Sequence, residues 1–187
     1  GWFAGYKISG ASTTAGNSTS GSGGTVTGVA ENIATTVSNT SSGSTLSATT
    51  SGTLNSALKI DQAVTLGVDD RFFKIVVTLQ NVSSGSIDSV RYMWAVDPDN
   101  VRDLGGSFTT INTILNTIAA GDGKAAVEAN TLTTETVQAR LILYTTDSRA
   151  RGTRGASAGT VYDAANYDSA PAKGNTLLNY FGIGTEL

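Results

Sequence analysis

Cysteine and histidine are both absent from the 187 residues, and proline occurs only twice. Without cysteine the chain can form no disulfide, thiolate metal site or cysteine nucleophile. Without histidine it lacks the commonest general base and transition-metal ligand, so serine–histidine–aspartate triads and imidazole-bound zinc are excluded. Carboxylate pairs remain, but the chain has only four glutamates and none lies in an aromatic-rich context. We therefore expect a protein that is not an enzyme.

Charge is also scarce. Charged residues make up 14% of the chain, against about a quarter in an average soluble protein. The net charge of −3 and the lack of clustered lysine and arginine argue against a nucleic-acid partner. No apolar run is long enough to cross a bilayer, so we expect no membrane insertion. Serine and threonine replace charge on the surface, which is typical of secreted bacterial β proteins, and we expect an extracellular or cell-surface location.

Two central segments carry the clearest secondary-structure signal. Residues 71–80 and 87–96 alternate apolar and polar side chains with the period of two that is typical of half-buried strands. The turn-forming residues between them predict a hairpin. Three aromatic residues, Phe73, Tyr92 and Trp94, then share one region, and core packing is a simpler use for them than carbohydrate stacking.

The remaining segments indicate further strands and loops. Residues 107–118 fit either a short helix or an irregular strand, whereas 137–145 alternate as a strand. Residues 147–168 are loop-like, and we interpret Asp147 and the arginines that follow it as a solvated loop in preference to an ionic network. Many short strands separated by glycine and serine turns predict an all-β fold, an antiparallel β-sandwich of Ig-like or jelly-roll-like type with at most one or two short helices.

We expect one β-sandwich domain over residues 1–187, with a mobile segment rich in serine, threonine and glycine at 9–25. An apolar segment at 177–183 must be buried, either on its own domain or as a strand that completes a neighbouring subunit. Trp2, Phe3 and Tyr6 form a second apolar stretch. If both stretches were exposed, they would favour contact with a partner.

One loop is rich in oxygen ligands. Within residues 97–103, the side chains of Asp97, Asp99, Asn100 and Asp103 have the alternating spacing that lets oxygens in a turn converge on Ca²⁺. The two glycines that follow let the backbone turn back. The alternative is that these residues form a turn and bond their own backbone. Both interpretations remain open from the sequence.

Four short segments carry a resemblance to a known class of proteins. They are 77–81 (VTLQN), 90–92 (VRY), 96–100 (VDPDN) and 108–113 (FTTINT), and they span roughly the middle third of the chain. These segments resemble β-sandwich modules of very large secreted bacterial adhesins of the calcium-dependent RTX type. The resemblance implies calcium held by acidic loops between strands, and attachment to peptides, glycans or other cells. The chain lacks the glycine-rich nonapeptide calcium repeat.

The sequence therefore predicts a non-enzymatic extracellular module for adhesion or ligand binding, stabilised by Ca²⁺. Its partner would be a protein, peptide or glycan on another surface. The alternative is a structural subunit of an extracellular filament, sheath or surface layer, in which identical subunits assemble by β-strand pairing.

Overall fold

A computed structural model describes residues 1–17, 33–96, 98–116, 125–147, 149–154, 161–162, 176–177 and 181–186. Within these ranges the regular structure is β-strand apart from one turn of 3-10 helix at Arg102–Leu104. The strands form three antiparallel sheets. The predicted all-β, sandwich-like fold with little helix is therefore confirmed.

The strands, in chain order, are β1 Trp2–Ile8, β2 Ala11–Asn17, β3 Thr35–Asn39, β4 Thr45–Leu54, β5 Leu58–Gly67, β6 Lys74–Asn81, β7 Asp88–Val96, β8 Thr110–Asn116, β9 Ala125–Thr131, β10 Arg140–Thr145, β11 Ala150–Arg154, β12 Thr176–Leu177 and β13 Phe181–Glu186. Sheet A has five strands in the order β11-β13-β7-β1-β2. Sheet B has the order β3-β4-β5-β6, and sheet C the order β10-β9-β8-β12.

Local chemistry explains several of these strands. The hairpin of β1 and β2 turns at Ser9 and Gly10, which both have positive φ angles (49° and 83°), and such turns match the twist of the strands they join. In β6 and β10 the side chains alternate between exposed and half-buried along each strand. This alternation follows the predicted period of two, with Leu141 and Leu143 of β10 directed inward.

One face of sheet A is covered by two different sheets. Tyr92 of β7 packs in a buried cluster with Leu58 and Ile60 of sheet B. Val96 lies four residues further along β7 and packs against Val127 and Ala129 of sheet C. Alternate residues of a strand point to the same face, so Tyr92 and Val96 share one face. Sheets B and C consequently lie side by side on sheet A and form the second layer of the sandwich.

The opposite face of sheet A is covered by a short segment at residues 161–162. The Tyr162 hydroxyl donates a hydrogen bond to the Ser89 carbonyl over 2.8 Å. The Tyr162 ring also lies beneath two cations, with Lys7 Nζ at 4.9 Å and Arg91 Cζ at 5.1 Å from its centroid. This contact fits over Gly5, where a Cβ atom would come within 2.8 Å of the Tyr162 ring.

The predicted hairpin of the two central strands is wrong. Both strands form, but β6 pairs with β5 and β7 pairs with β1 and β13. The Val82 N–H bonds to the Ala57 carbonyl at 2.8 Å, which keeps the chain on sheet B beyond the end of β6. The loop that follows then carries the chain across to sheet A. The connection joins two layers instead of two neighbouring strands.

For three further segments the structure differs from the prediction or decides between its alternatives. Ala11–Asn17, expected within the mobile segment 9–25, is strand β2, while residues 18–25 lie outside the described residues. Ala150–Arg154, expected in a loop, is strand β11, which pairs with β13. The segment at 107–118, for which the sequence allowed either a short helix or an irregular strand, contains strand β8. For Ala150–Arg154 a partner distant in sequence, β13, imposes β structure, whereas β2 pairs with its neighbour β1 across the tight turn at Ser9 and Gly10.

The apolar stretches near both ends of the sequence lie within the sandwich. Trp2, Phe3 and Tyr6 are buried in sheet A. In the segment 177–183, the described parts belong to β12, which pairs with β8, and to β13, which pairs with β7 and β11. Residues 178–180 lie outside the described part. Of the two alternatives for this segment, the described strands pair within their own chain.

The close approach at Gly5 predicts a specific loss of stability. We expect Gly5→Ala to lower the free energy of unfolding by about 1–3 kcal/mol, because the new methyl group overlaps Tyr162 and Val161. Gly85→Ala is the matched control, since a Cβ there meets nothing within 4 Å. Urea denaturation of both variants measures the difference. Equal midpoints for the two variants would show that residues 161–162 do not cover Gly5.

Candidate functional site: a groove between two strand edges

A groove lies between sheets B and C, over sheet A. It has a volume of about 930 Å³ and is lined by residues 71–73 and 75–79 on one side and 140–145 on the other. Consecutive residues of β6 and β10 line it, whereas a strand seen face-on would contribute only alternate residues. Both strands are therefore edge-on to the groove. Neither β6 nor β10 pairs with a second strand among the described residues.

Two aromatic residues from sheet A also line the groove. They are Tyr92 and Trp94 of β7, and the Tyr92 ring stacks on Trp2 with centroids 6.2 Å apart. Tyr92 is buried and Trp94 is half-buried. The predicted core role of these two residues is thus correct, and the groove runs above the sandwich core.

Apolar side chains along the walls of the groove remain exposed. Phe72 is 68% and Phe73 51% exposed at the start of β6, and Val76 is exposed within it. On the facing strand Ile142 and Tyr144 are exposed as well. The prediction that Phe73 packs in the core is wrong, because the residue precedes β6 and lies at the groove wall. Concentrated exposed apolar side chains of this kind mark binding surfaces.

The groove carries positive charge in a chain whose net charge is negative. Arg71, Arg140 and Arg149 line it with a single carboxylate, Asp147. Arg149 binds Asp147 through two side-chain hydrogen bonds of 2.9 and 2.6 Å, which hold the pKa of Asp147 below its usual range. This pair forms where a solvated loop was expected. Arg140 pairs with Glu128, whereas Arg71 has no ion pair among the described residues.

The hydroxyl group of Tyr92 is the unusual polar atom of this region. It is buried and has no hydrogen-bond partner among the described residues. Burial raises the pKa of this phenol above its ordinary value, so the group stays neutral. Buried polar atoms in folded proteins nearly always have a partner. The Tyr92 hydroxyl is therefore a buried polar atom that the described residues leave unsatisfied.

The acidic loop lies apart from the groove and is organised by hydrogen bonds. Asn100 donates through Nδ2 to the carbonyls of Ala129 (3.0 Å) and Ala139 (3.3 Å), which fastens the loop to sheet C. Gly105 adopts the left-handed conformation (φ 86°) and donates to the Arg102 carbonyl. The predicted turn-back of the backbone at this glycine is confirmed.

The fit of this loop to Ca²⁺ rests on few oxygens. Asp99 and Asp103 are exposed, and Asp97 lies outside the described residues. Within the described ranges no three acidic side chains come together in a way that could hold a metal ion. Asn100 uses its Nδ2 atom for the carbonyls of Ala129 and Ala139, whereas the atom that would bind Ca²⁺ is its Oδ1. Calcium at Asp97, Asp99, Asn100 and Asp103 stays a prediction.

The sequence does not predict the groove, although it predicts the strands that contain some of the groove residues. Residues 71–80 and 137–145 were predicted as alternating strands, and Val76 and Ile142 are exposed side chains of these strands. Nothing in the sequence indicates that these two strands face each other, because 66 residues separate them. The two exposed apolar residues line one groove only because the tertiary structure brings their sheets together.

No protein-family model, curated protein or solved structure matches this chain. Among the described residues, no helix has the length and hydropathy required to cross a bilayer.

The isolated hydroxyl of Tyr92 predicts an unusual mutational result. We expect Tyr92→Phe to leave the free energy of unfolding unchanged or to raise it by up to about 1 kcal/mol, because the change removes a buried polar atom without a partner. Tyr162→Phe is the matched control and should lower stability by about 1 kcal/mol, since it removes a hydrogen bond to Ser89. Thermal unfolding measures both. A clear loss in Tyr92→Phe would reveal a partner for this hydroxyl.

The calcium prediction is tested by melting temperature. If the loop binds Ca²⁺ in the native state, excess calcium should raise the melting temperature relative to a chelator, with a gain of about 2.7 kcal/mol at a hundred times the dissociation constant. Asp103→Asn should remove this shift. Asp69→Asn, which changes a carboxylate in the turn between β5 and β6, should keep it. Identical melting of the unaltered chain in calcium and chelator would rule the site out.

Proposed function

We propose that this chain is a non-enzymatic extracellular module that binds a ligand on another surface through the groove between β6 and β10. The observation that carries the proposal is the groove itself, in which exposed apolar side chains lie beside two aromatic residues, Tyr92 and Trp94. Aromatic residues with neighbouring polar groups are enriched in binding sites because they bury much surface at a low cost in conformational entropy.

Composition supports the same proposal. A surface of serine and threonine with 14% charged residues suits a protein that works outside the cell, and the absence of histidine and cysteine argues for binding in preference to catalysis. The resemblance of the middle segments to adhesin modules points to attachment as the role. Calcium, if bound at residues 97–103, would stabilise the module.

The alternative function, a filament subunit, is no longer supported by exposed apolar ends, but a different feature supports it. Trp2, Phe3 and Tyr6, which suggested exposed apolar ends, are buried. The free edges of β6 and β10 are now the feature that would favour strand pairing between identical subunits. Sedimentation of the purified chain distinguishes the two functions. We expect a monomer, and concentration-dependent polymers would favour the filament.

Surface binding can be tested with defined arrays. We expect the fluorescently labelled chain to bind members of a glycan array or a peptide array, and Phe73→Asp to weaken that binding by about tenfold or more, because the charge enters an apolar groove wall. The control is Leu46→Asp, which places the same charge at an exposed apolar position of sheet B outside the groove. Equal loss in both variants, or no binding to either array, would contradict the proposal.

A further inference from the structure

Among the strands that the structure describes, the second layer of the sandwich has a gap between β6 and β10. Sheets B and C both cover the same face of sheet A, and their free edges, β6 and β10, line opposite sides of one groove. Each of these edges carries backbone N–H and C=O groups that no second strand satisfies among the described residues. Free edges of this kind are templates for another strand, and natural proteins usually cover or charge them.

From this geometry we infer that the groove accepts an extended polypeptide segment of a partner protein, which adds as a β-strand beside β6 or β10 over Trp94. This inference rests on the proposed function and names the ligand class of the same groove. A glycan would use the aromatic rings but would leave the backbone groups of both edges unpaired. A polypeptide strand satisfies the backbone groups and the apolar walls together.

The groove fixes the length and pattern of the segment. The lining portion of β10 is six residues long, residues 140–145, which corresponds to about 20 Å of extended chain. Side chains of an inserted strand would point alternately toward sheet A and toward solvent. Those pointing inward would meet Tyr92 and Trp94, so apolar residues are required at alternate positions.

Charge selects among such segments. Three arginines and one aspartate line the groove; Arg149 and Arg140 are paired with Asp147 and Glu128, and Arg71 has no ion pair among the described residues. The cationic Arg71 therefore favours a segment with acidic side chains over a neutral one and disfavours a basic one. The described strands of this chain are already paired within their own sheets, which disfavours a second copy as the source of the segment. The occupant we infer is an acidic, alternately apolar segment of a different protein.

The test uses synthetic octapeptides and isothermal titration calorimetry. The probe alternates valine with threonine and has aspartate near each end. We expect it to bind, and we expect a version with lysine in place of both aspartates to bind about tenfold or more weakly. A third peptide, with the acidic sequence but N-methylated at alternate residues, removes backbone donors on one edge of the peptide while keeping its side chains. It too should lose about tenfold or more.

Two variants on opposite edges of sheet B supply the protein control. Val76→Asp lies on β6 in the groove wall, and Val37→Asp lies on β3 at the other edge, with both valines exposed. Only Val76→Asp should weaken binding of the acidic probe. Circular dichroism on both variants verifies that each is folded.

The outcomes separate the two proposals. Failure of the acidic probe to bind, or equal binding of the N-methylated peptide, would overturn strand addition. Binding to a glycan array that persists in that case, and is lost in Phe73→Asp, would leave the proposed surface-binding function standing. If neither peptides nor arrays bind, both proposals fail. Polymers of the unaltered chain that the acidic probe dissolves would assign the groove to a second copy and overturn the choice of a different protein.

Discussion

The architecture depends on one apolar stripe along a single strand. Tyr92, Trp94 and Val96 alternate along β7, which lies at the centre of sheet A. One end of the stripe packs on sheet B and the other on sheet C. Burial of this stripe, at roughly 25 cal/mol per Å² of apolar surface, holds three sheets in one sandwich. Because sheets B and C each cover one part of the stripe, the edges of β6 and β10 face each other above its middle.

The groove is a consequence of that division. A continuous second layer would pair every interior strand and expose only its two outer edges. Among the described strands this layer is interrupted, and β6 and β10 have unpaired edges on either side of Tyr92 and Trp94. The exposed Phe72, Val76 and Ile142 are costly in a free monomer, where apolar surface in contact with water is unfavourable. A strand-shaped partner would remove that cost, which is why the groove carries the functional proposal.

The outer face of sheet A combines apolar packing with polar contacts. Tyr162 lies under Lys7 and Arg91 and bonds the Ser89 carbonyl, and these contacts add to the buried apolar side chains of Phe3, Met93 and Val161. The acidic loop is also held by polar contacts, because Asn100 donates hydrogen bonds to two carbonyls, those of Ala129 and Ala139. A chain with few charges places several of them where they organise loops, and the remaining arginines leave the groove positive.

The sequence alone determined the class of structure and the faces of its strands. Alternation along β6 and β10 is a local property that one segment of chain expresses by itself, and absence of imidazole and thiol limits the chemistry wherever the side chains lie. Strand partners were decided only by the tertiary structure. Residues 71–80 and 87–96 look like a hairpin, yet β6 pairs within sheet B and β7 within sheet A, and side chains of both strands pack face to face in one cluster. Which strands pair with one another depends on all the strands of the chain together. The groove lies between the edges of two strands that are far apart in sequence, so it follows from that pairing.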